Sequence, residues 1–245
     1  ALMAIGQEMI ARSAELGELL SREEGKPRAE GVGEVYRAGQ FFTYYAAETL
    51  RQIGDTADST RPNIEIDVRR EPVGVVAIIS PWNFPIATAS WKIAPALAFG
   101  NAVIWKPANM TPASAVAFAQ IIERQNLPKG LFNLVMGSGS NVGQLEMGSK
   151  NALVVMDDAD IDLGVACALN GAFGGTGQKC TASSRLVVHE SVHDVFVEKL
   201  VAGAKAFKVG HALIEGTQIG PVVSAEQLQS NLDYKDLFSY CNYKR

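Results

Sequence analysis

Cys180 lies in the run Gly174-Gly-Thr-Gly-Gln-Lys-Cys-Thr-Ala-Ser-Ser184, at the end of a glycine-rich polar stretch and directly after Lys179. A structural cysteine prefers apolar neighbours. A reactive one needs an accessible, electropositive place, because the thiolate is the nucleophile. Asn83 stands between Pro81 and Pro85, where the backbone is stiff and its side-chain amide offers two donors. That suits an oxyanion hole, and the same five residues also suit a plain tight turn. Glu146 sits beside the glycine turn at Gly148, just ahead of an apolar run. A general base there must be partly buried and held by the turn, whereas a surface glutamate needs neither. Lys106, in Trp105-Lys-Pro-Ala108, can hold ribose hydroxyls or a phosphate, or can simply be solvated.

The elements that must position these groups follow from periodicity. Leu2, Ile5, Met9, Leu16 and Leu19 recur at helical intervals, so residues 1–24 form one surface helix. A second helix runs from Glu30 to Leu50, and its aromatic row Phe41, Phe42, Tyr44 and Tyr45 is expected to pack against a neighbouring domain. Asn63 to Arg70 alternates like a half-exposed strand. From residue 72 the chain turns to strand–helix alternation. Val73–Ile79 reads as a parallel strand buried on both faces. A helix over Ala87–Phe99, a strand over Ala102–Trp105 and a helix capped by Thr111 with Pro112 in its first turn come next. Leu131–Val135 is another strand. A second series holds strands at Ala152–Met156 and Arg185–Val188, each followed by a helix, with a boundary expected near residues 137–150. This rhythm predicts an α/β fold with an open parallel sheet. In such sheets ligands gather beyond the carboxyl ends of the strands, where Pro81–Pro85 and Lys106 lie.

Composition narrows the function. The formal net charge is −4 with no basic block, which argues against nucleic acid and anionic membrane as partners. The first ten residues lack the basic start of a signal peptide, and no apolar run approaches a membrane span. The three cysteines, Cys167, Cys180 and Cys241, make neither a disulfide framework nor a zinc pattern, so reduced thiols in a cytoplasmic setting fit. Cys167 is expected to be a packing residue of an apolar helix. His189, His193 and His211 show no metal spacing, and no metal site is expected. The acidic run Asp157, Asp158, Asp160 and Asp162 reads as a helix N-terminal cap.

Taken in order, Pro-Trp-Asn-Phe-Pro, Trp-Lys-Pro-Ala, Leu-Glu-Met-Gly and Gly-Gln-Lys-Cys resemble the NAD(P)-dependent aldehyde dehydrogenase superfamily. Asn83 and Lys106 are 23 residues apart, and Glu146 and Cys180 are 34 apart, as in that family. Arg69–Gly74, Gly210–Leu213 and Ile219–Val223 look most like its α-ketoglutaric semialdehyde (2,5-dioxovalerate) dehydrogenases. The resemblance implies a Rossmann-like open parallel sheet, here incomplete, followed by part of a second α/β catalytic domain. Residues 1–144 would form the coenzyme-binding domain, with 63–70 a candidate oligomerisation strand, and residues 145–245 the first part of the catalytic domain. It further implies oxidation of a small-molecule aldehyde to a carboxylic acid by a homo-oligomer. Cys180 would be the nucleophile, Asn83 an oxyanion donor and Glu146 the base that activates water. Ile79, Ser80, Pro81, Trp82, Lys106 and Asn109 would hold NADP or NAD. The neutral Asn109 removes a repulsion against a 2′-phosphate and favours NADP.

The sequence also departs from that family. Only 40 residues separate Lys106 from Glu146, so a βα unit of about 30–40 residues is lacking. With it goes a Phe-Thr-Gly-Ser turn that would contact the pyrophosphate. The sheet should lack a strand and a helix, leaving part of its core uncovered. The family chain is roughly twice as long, and the match fades after Asp233. Ser149 replaces a glycine, and Gly174 and Gly175 replace a bulkier pair. The alternative reading is therefore a truncated relative without dehydrogenase turnover, either inert or retaining a cofactor-free thiol esterase activity.

Overall fold

The computed structural model describes residues 1–51, 54–137 and 151–240, with side chains as far as Asp233. Glu146, Ser149 and Cys241 lie outside the described residues. The chain divides into two compact units, Ala1–Gly17 with Val32–Gln144, and Glu18–Gly31 with Leu145–Arg245. Both are α/β with parallel strands.

The expected N-terminal helix is two helices, α1 (Leu2–Ala11) and α2 (Ser13–Glu24), broken at Arg12. Their shared apolar stripe (Ile5, Met9, Leu16, Leu20) is buried while Gln7, Ala11, Glu15 and Arg22 are exposed, the one-sided pattern of helices on a surface. Helix α3 (Arg28–Glu48) follows. In the first unit Gly6 and Gly39 let α1 and α3 touch, since a Cβ on Gly6 would stand 2.6 Å from the Gly39 carbonyl oxygen. A ribbon of β1 (Asp55–Asp58) and β2 (Glu65–Val68) pairs antiparallel. Every one of its eight positions is exposed, more than the half-exposed strand expected. Next come β3 (Val75–Ile79), α4 (Ala87–Ala98), β4 (Ala102–Lys106), α5 (Pro112–Glu123) and β5 (Phe132–Leu134). The three strands form one parallel sheet in the order β3-β4-β5.

Trp105 and Phe118 pack edge-on with ring centroids 5.4 Å apart, and Phe42 meets Phe118 at 5.8 Å. Phe41 packs on Trp91 and Tyr45 on Phe99. The aromatic row of α3 thus stays within its own unit, against α4 and α5, rather than reaching a neighbouring domain. β3 also departs from expectation. Among the described residues it pairs on one side only, and of its five residues only Ile78 is buried. Val75 is 66% exposed, and Val73 just before it 89%. The buried strand predicted from an apolar run is an edge strand, because nothing described here covers its other side.

The second unit contains β6 (Asn151–Val155), α6 (Ile161–Phe173), β7 (Ser183–Val188), α7 (Glu190–Lys205) and α8 (Ala225–Tyr240). β6 and β7 pair in parallel across the α6 crossover. Their inner face meets the helices through Val155, Val165, Ala168 and Phe196. Asp160 caps α6 as anticipated, accepting from the Leu163 N–H at 3.0 Å. Thr111 does hold the N-cap position of α5, but among the described residues its buried hydroxyl makes no hydrogen bond, so Pro112 marks that start. Cys167 is exposed on α6 rather than packed: Val165 and Ala168 turn inward and carry it to the outer face. Among the described residues no helix is long and apolar enough to cross a membrane.

Candidate active site

In the first unit the site residues gather at the carboxyl ends of two adjacent parallel strands. Ile79 and Lys106 are register partners at the last rung of β3 and β4. The ladder runs one residue further, with the Ser80 N–H donating to the Lys106 carbonyl at 3.2 Å. Ser80 is buried, and its Oγ accepts from the Trp105 indole N–H at 2.9 Å. A buried indole N–H needs an acceptor, so this bond fixes where the chain leaves β3. Lys92 on α4 donates to the Ile79 carbonyl at 3.2 Å. Pro81, Trp82 and Asn83 follow as a half-buried bend leading into α4.

The far end of that bend is tied down by a carboxylate. Glu34 on α3 is 5% exposed, and its Oε1 accepts from the backbone N–H groups of Ile86 and Ala87 at 3.1 and 3.0 Å. These are donors that the first turn of α4 cannot satisfy itself, and a negative charge is favoured at that end of a helix. Asn83 is thus strung between a buried serine and a capped helix. Lys106 is only 8% exposed, yet its side chain makes no ion pair or hydrogen bond among the described residues. A lysine whose stem is buried and whose ammonium has no anion among the described residues is suited to a ligand's oxygens. Asn109 is exposed in the turn that enters α5.

In the second unit Cys180 is exposed, in a turn just before β7. The preceding turn, Gly174–Gly177, has three successive residues of positive φ: Gly175 (61°), Thr176 (58°) and Gly177 (71°). Glycine takes that conformation freely, while threonine there is strained. Contacts from elsewhere in the unit hold it. The Gly175 N–H donates to Glu30 Oε1 at 2.9 Å, the Gly220 N–H to Thr176 Oγ1 at 3.2 Å, and the Val223 N–H to Gln178 Oε1 at 3.0 Å. On the other side Asn151 donates through Nδ2 to the Cys180 carbonyl at 2.9 Å. The Lys179 ammonium, expected to assist the thiol, pairs with Glu30 Oε2 at 3.5 Å. Its charge is therefore already compensated by a carboxylate.

Two of the three expected catalytic residues, Asn83 and Cys180, are described, each in its own unit. The sequence did not single out Glu30, Glu34, Asn151, Thr176 or Gln178 as positioning groups. Their partners lie from 29 to 145 residues away, and no local pattern marks such a contact.

The family model of the aldehyde dehydrogenase family matches residues 1–145 and 143–237. This chain belongs to the aldehyde dehydrogenase family. Among its relatives, the alpha-ketoglutarate semialdehyde dehydrogenase of Haloferax volcanii is 38% identical over 273 positions, covering 96% of this chain and 56% of that protein. An aldehyde dehydrogenase from Brucella melitensis biovar abortus superposes with a TM-score of 0.92 at 32% identity, covering 98% of this chain and 57% of that one. A betaine aldehyde dehydrogenase from Staphylococcus aureus, solved in complex with NAD+, gives a TM-score of 0.91 at 33% identity over 96% of this chain and 54% of its own. The chain spans about half the length of the curated relatives it matches. The Haloferax alignment has 273 positions but uses 96% of the 245 residues here, so about 38 positions have no residue in this chain. The two family matches meet at residues 143–145, the place where a βα unit was expected to be lacking.

Proposed function

We propose that the chain carries the coenzyme-side and nucleophile parts of an enzyme that oxidises an aldehyde to a carboxylic acid, with 2,5-dioxovalerate the favoured substrate. The first unit is the coenzyme-binding portion and the second the beginning of the catalytic domain. The single observation that carries this reading is the exposed Cys180 at the end of a strained turn held by three contacts, in a chain of this family.

The Cys180 thiolate adds to the aldehyde carbon, and the Cys180 N–H and the Asn83 amide take the oxyanion of the thiohemiacetal. A bound nicotinamide coenzyme supplies the hydride acceptor for the collapse to a thioester. Glu146 takes a proton from water, which attacks the thioester and releases the carboxylate and the thiol. Lys106 would hold oxygens of the coenzyme's adenosine ribose beside the Ile79–Trp82 backbone. The neutral, exposed Asn109 offers no anion against a 2′-phosphate, so NADP is accepted as well as NAD. The exposed Ile66 and Val68 of β2, with Ile64 just before it, are surface that a homo-oligomer would cover.

Two observations favour a second reading, that of a relative without dehydrogenase turnover. The open edge of β3 lies beside the site that would receive the coenzyme, and about 38 positions present in the Haloferax relative are lacking. The two readings separate in one set of assays on the purified chain and its Cys180→Ala variant. Aldehyde-dependent reduction of NADP or NAD, lost in the variant, establishes the dehydrogenase. Cys180-dependent ester hydrolysis without coenzyme reduction establishes the esterase. No calorimetric binding of either coenzyme overturns the dehydrogenase reading.

A further inference from the structure

We infer that Glu30 is the positioning residue of the Cys180 turn, holding both the backbone and the side chain that precede the sulfur. This rests on the proposal that Cys180 is the nucleophile. Glu30 lies in the first turn of α3, and its two carboxylate oxygens do different work. Oε1 accepts the Gly175 N–H at 2.9 Å, at the first of the three positive-φ residues. Oε2 pairs with Lys179, the residue before the cysteine, at 3.5 Å. Both ends of the short path from Gly175 to Cys180 are therefore referred to one side chain.

The two glycines make this arrangement fit. A Cβ on Gly175 would stand 2.7 Å from Lys179 Cε, and one on Gly174 would stand 2.9 Å from Lys179 Nζ. The lysine side chain lies back across Gly174 and Gly175 to reach the carboxylate, in space that any larger residue would fill. The glycine pair is thus matched to the Glu30–Lys179 pair. Three residues in the left-handed region in succession, one of them threonine, do not keep that shape unaided, because each such non-glycine residue costs about 1–3 kcal/mol. A held turn matters for catalysis because the Cys180 N–H is a proposed oxyanion donor. An oxyanion donor acts only when its N–H points where the charge develops.

The test compares wild type with Glu30→Ala, which removes both contacts, and Glu30→Gln, which keeps an acceptor for Gly175. Hydrogen exchange of the segment spanning 174–180 reads the turn directly and needs no activity. It should speed up about tenfold or more in Glu30→Ala and return close to wild type in Glu30→Gln. Hydrolysis of p-nitrophenyl acetate reads the consequence. Its kcat should fall about tenfold in Glu30→Ala with KM little changed, and Glu30→Gln should recover most of that loss. Unchanged exchange in Glu30→Ala, or a loss that Glu30→Gln does not repair, overturns the inference. If Cys180→Ala hydrolyses the ester as well as wild type, the nucleophile proposal fails instead, and the exchange data still decide whether Glu30 holds the turn.

Discussion

Glu34→Ala should be among the most damaging single changes in the first unit. The carboxylate is almost fully buried and accepts two N–H groups from the start of α4, at residues that are themselves buried (Ile86 1% and Ala87 3% exposed). Water cannot replace the lost acceptor without opening the packing. A hydrogen bond to a charged group is worth about 1.5–3 kcal/mol, and a carboxylate at a helix N-terminus adds about 0.3–1 kcal/mol. The variant no longer buries a carboxylate, which returns part of the sum. A net loss of about 3 kcal/mol is therefore expected, against a usual total of about 5–15 kcal/mol for a folded domain. Glu34→Gln, which keeps a neutral acceptor, should lose about 1–2 kcal/mol. Urea unfolding followed by circular dichroism gives the energies, and amide exchange at Ile86 and Ala87 locates the effect. An unfolding free energy for Glu34→Ala within about 0.5 kcal/mol of wild type would refute the capping role, as would unaltered exchange at both amides.

Gly220→Ala should destabilise the second unit by at least about 2 kcal/mol, because its Cβ would fall 1.8 Å from the Gly25 carbonyl oxygen, and a lowered thermal midpoint would show it. Lys106→Met keeps the aliphatic stem and removes the charge, so calorimetry should find affinity for NADP reduced about tenfold, or about 1.4 kcal/mol, with folding intact. Arg124→Met removes the guanidinium whose hydrogen bond is the main cause holding the Glu8 carboxyl below its usual range; burial opposes that shift and Arg12 adds to it. A carboxyl whose pKa is lower folded than unfolded stabilises the fold above its ordinary value of 4.5 and loses that contribution as pH falls through the depressed one. The gap in urea midpoint between wild type and Arg124→Met should be widest near neutral pH and close in acid; a gap independent of pH would contradict this.

The βαβαβ rhythm of residues 73–135 was legible because parallel strands and amphipathic helices differ in period, and Pro112 fixed the start of α5 to the residue. Asn83, Lys106 and Cys180 were legible as residue types in unusual local settings. What escaped was whatever depends on partners distant in sequence. An apolar run such as Val73–Ile79 is the same string whether a strand has one neighbour or two, so its edge position was invisible in its own residues. Cys167 went wrong similarly: an apolar helix does not say which of its sides meets the core. Lys179 next to the cysteine looked like an electrostatic aid until Glu30, 149 positions earlier, took its charge.

The crossing of Gly25 (φ 94°) with Gly220 and Pro221 also bears on how the polypeptide reaches its native state. The segment 18–31 meets residues 175–221 through the Glu30 carboxylate on the Gly175 N–H and the Arg28 N–H on the Ala212 carbonyl. A ribosome must therefore have made the chain as far as about residue 221 before these early residues can settle. Closing a loop of such span costs entropy before any contact rewards it, which makes this the slow step of assembly. The βαβ units of residues 75–134 have their neighbours close at hand and can form while synthesis continues, so newborn chains should acquire that sheet before the thiol-bearing turn.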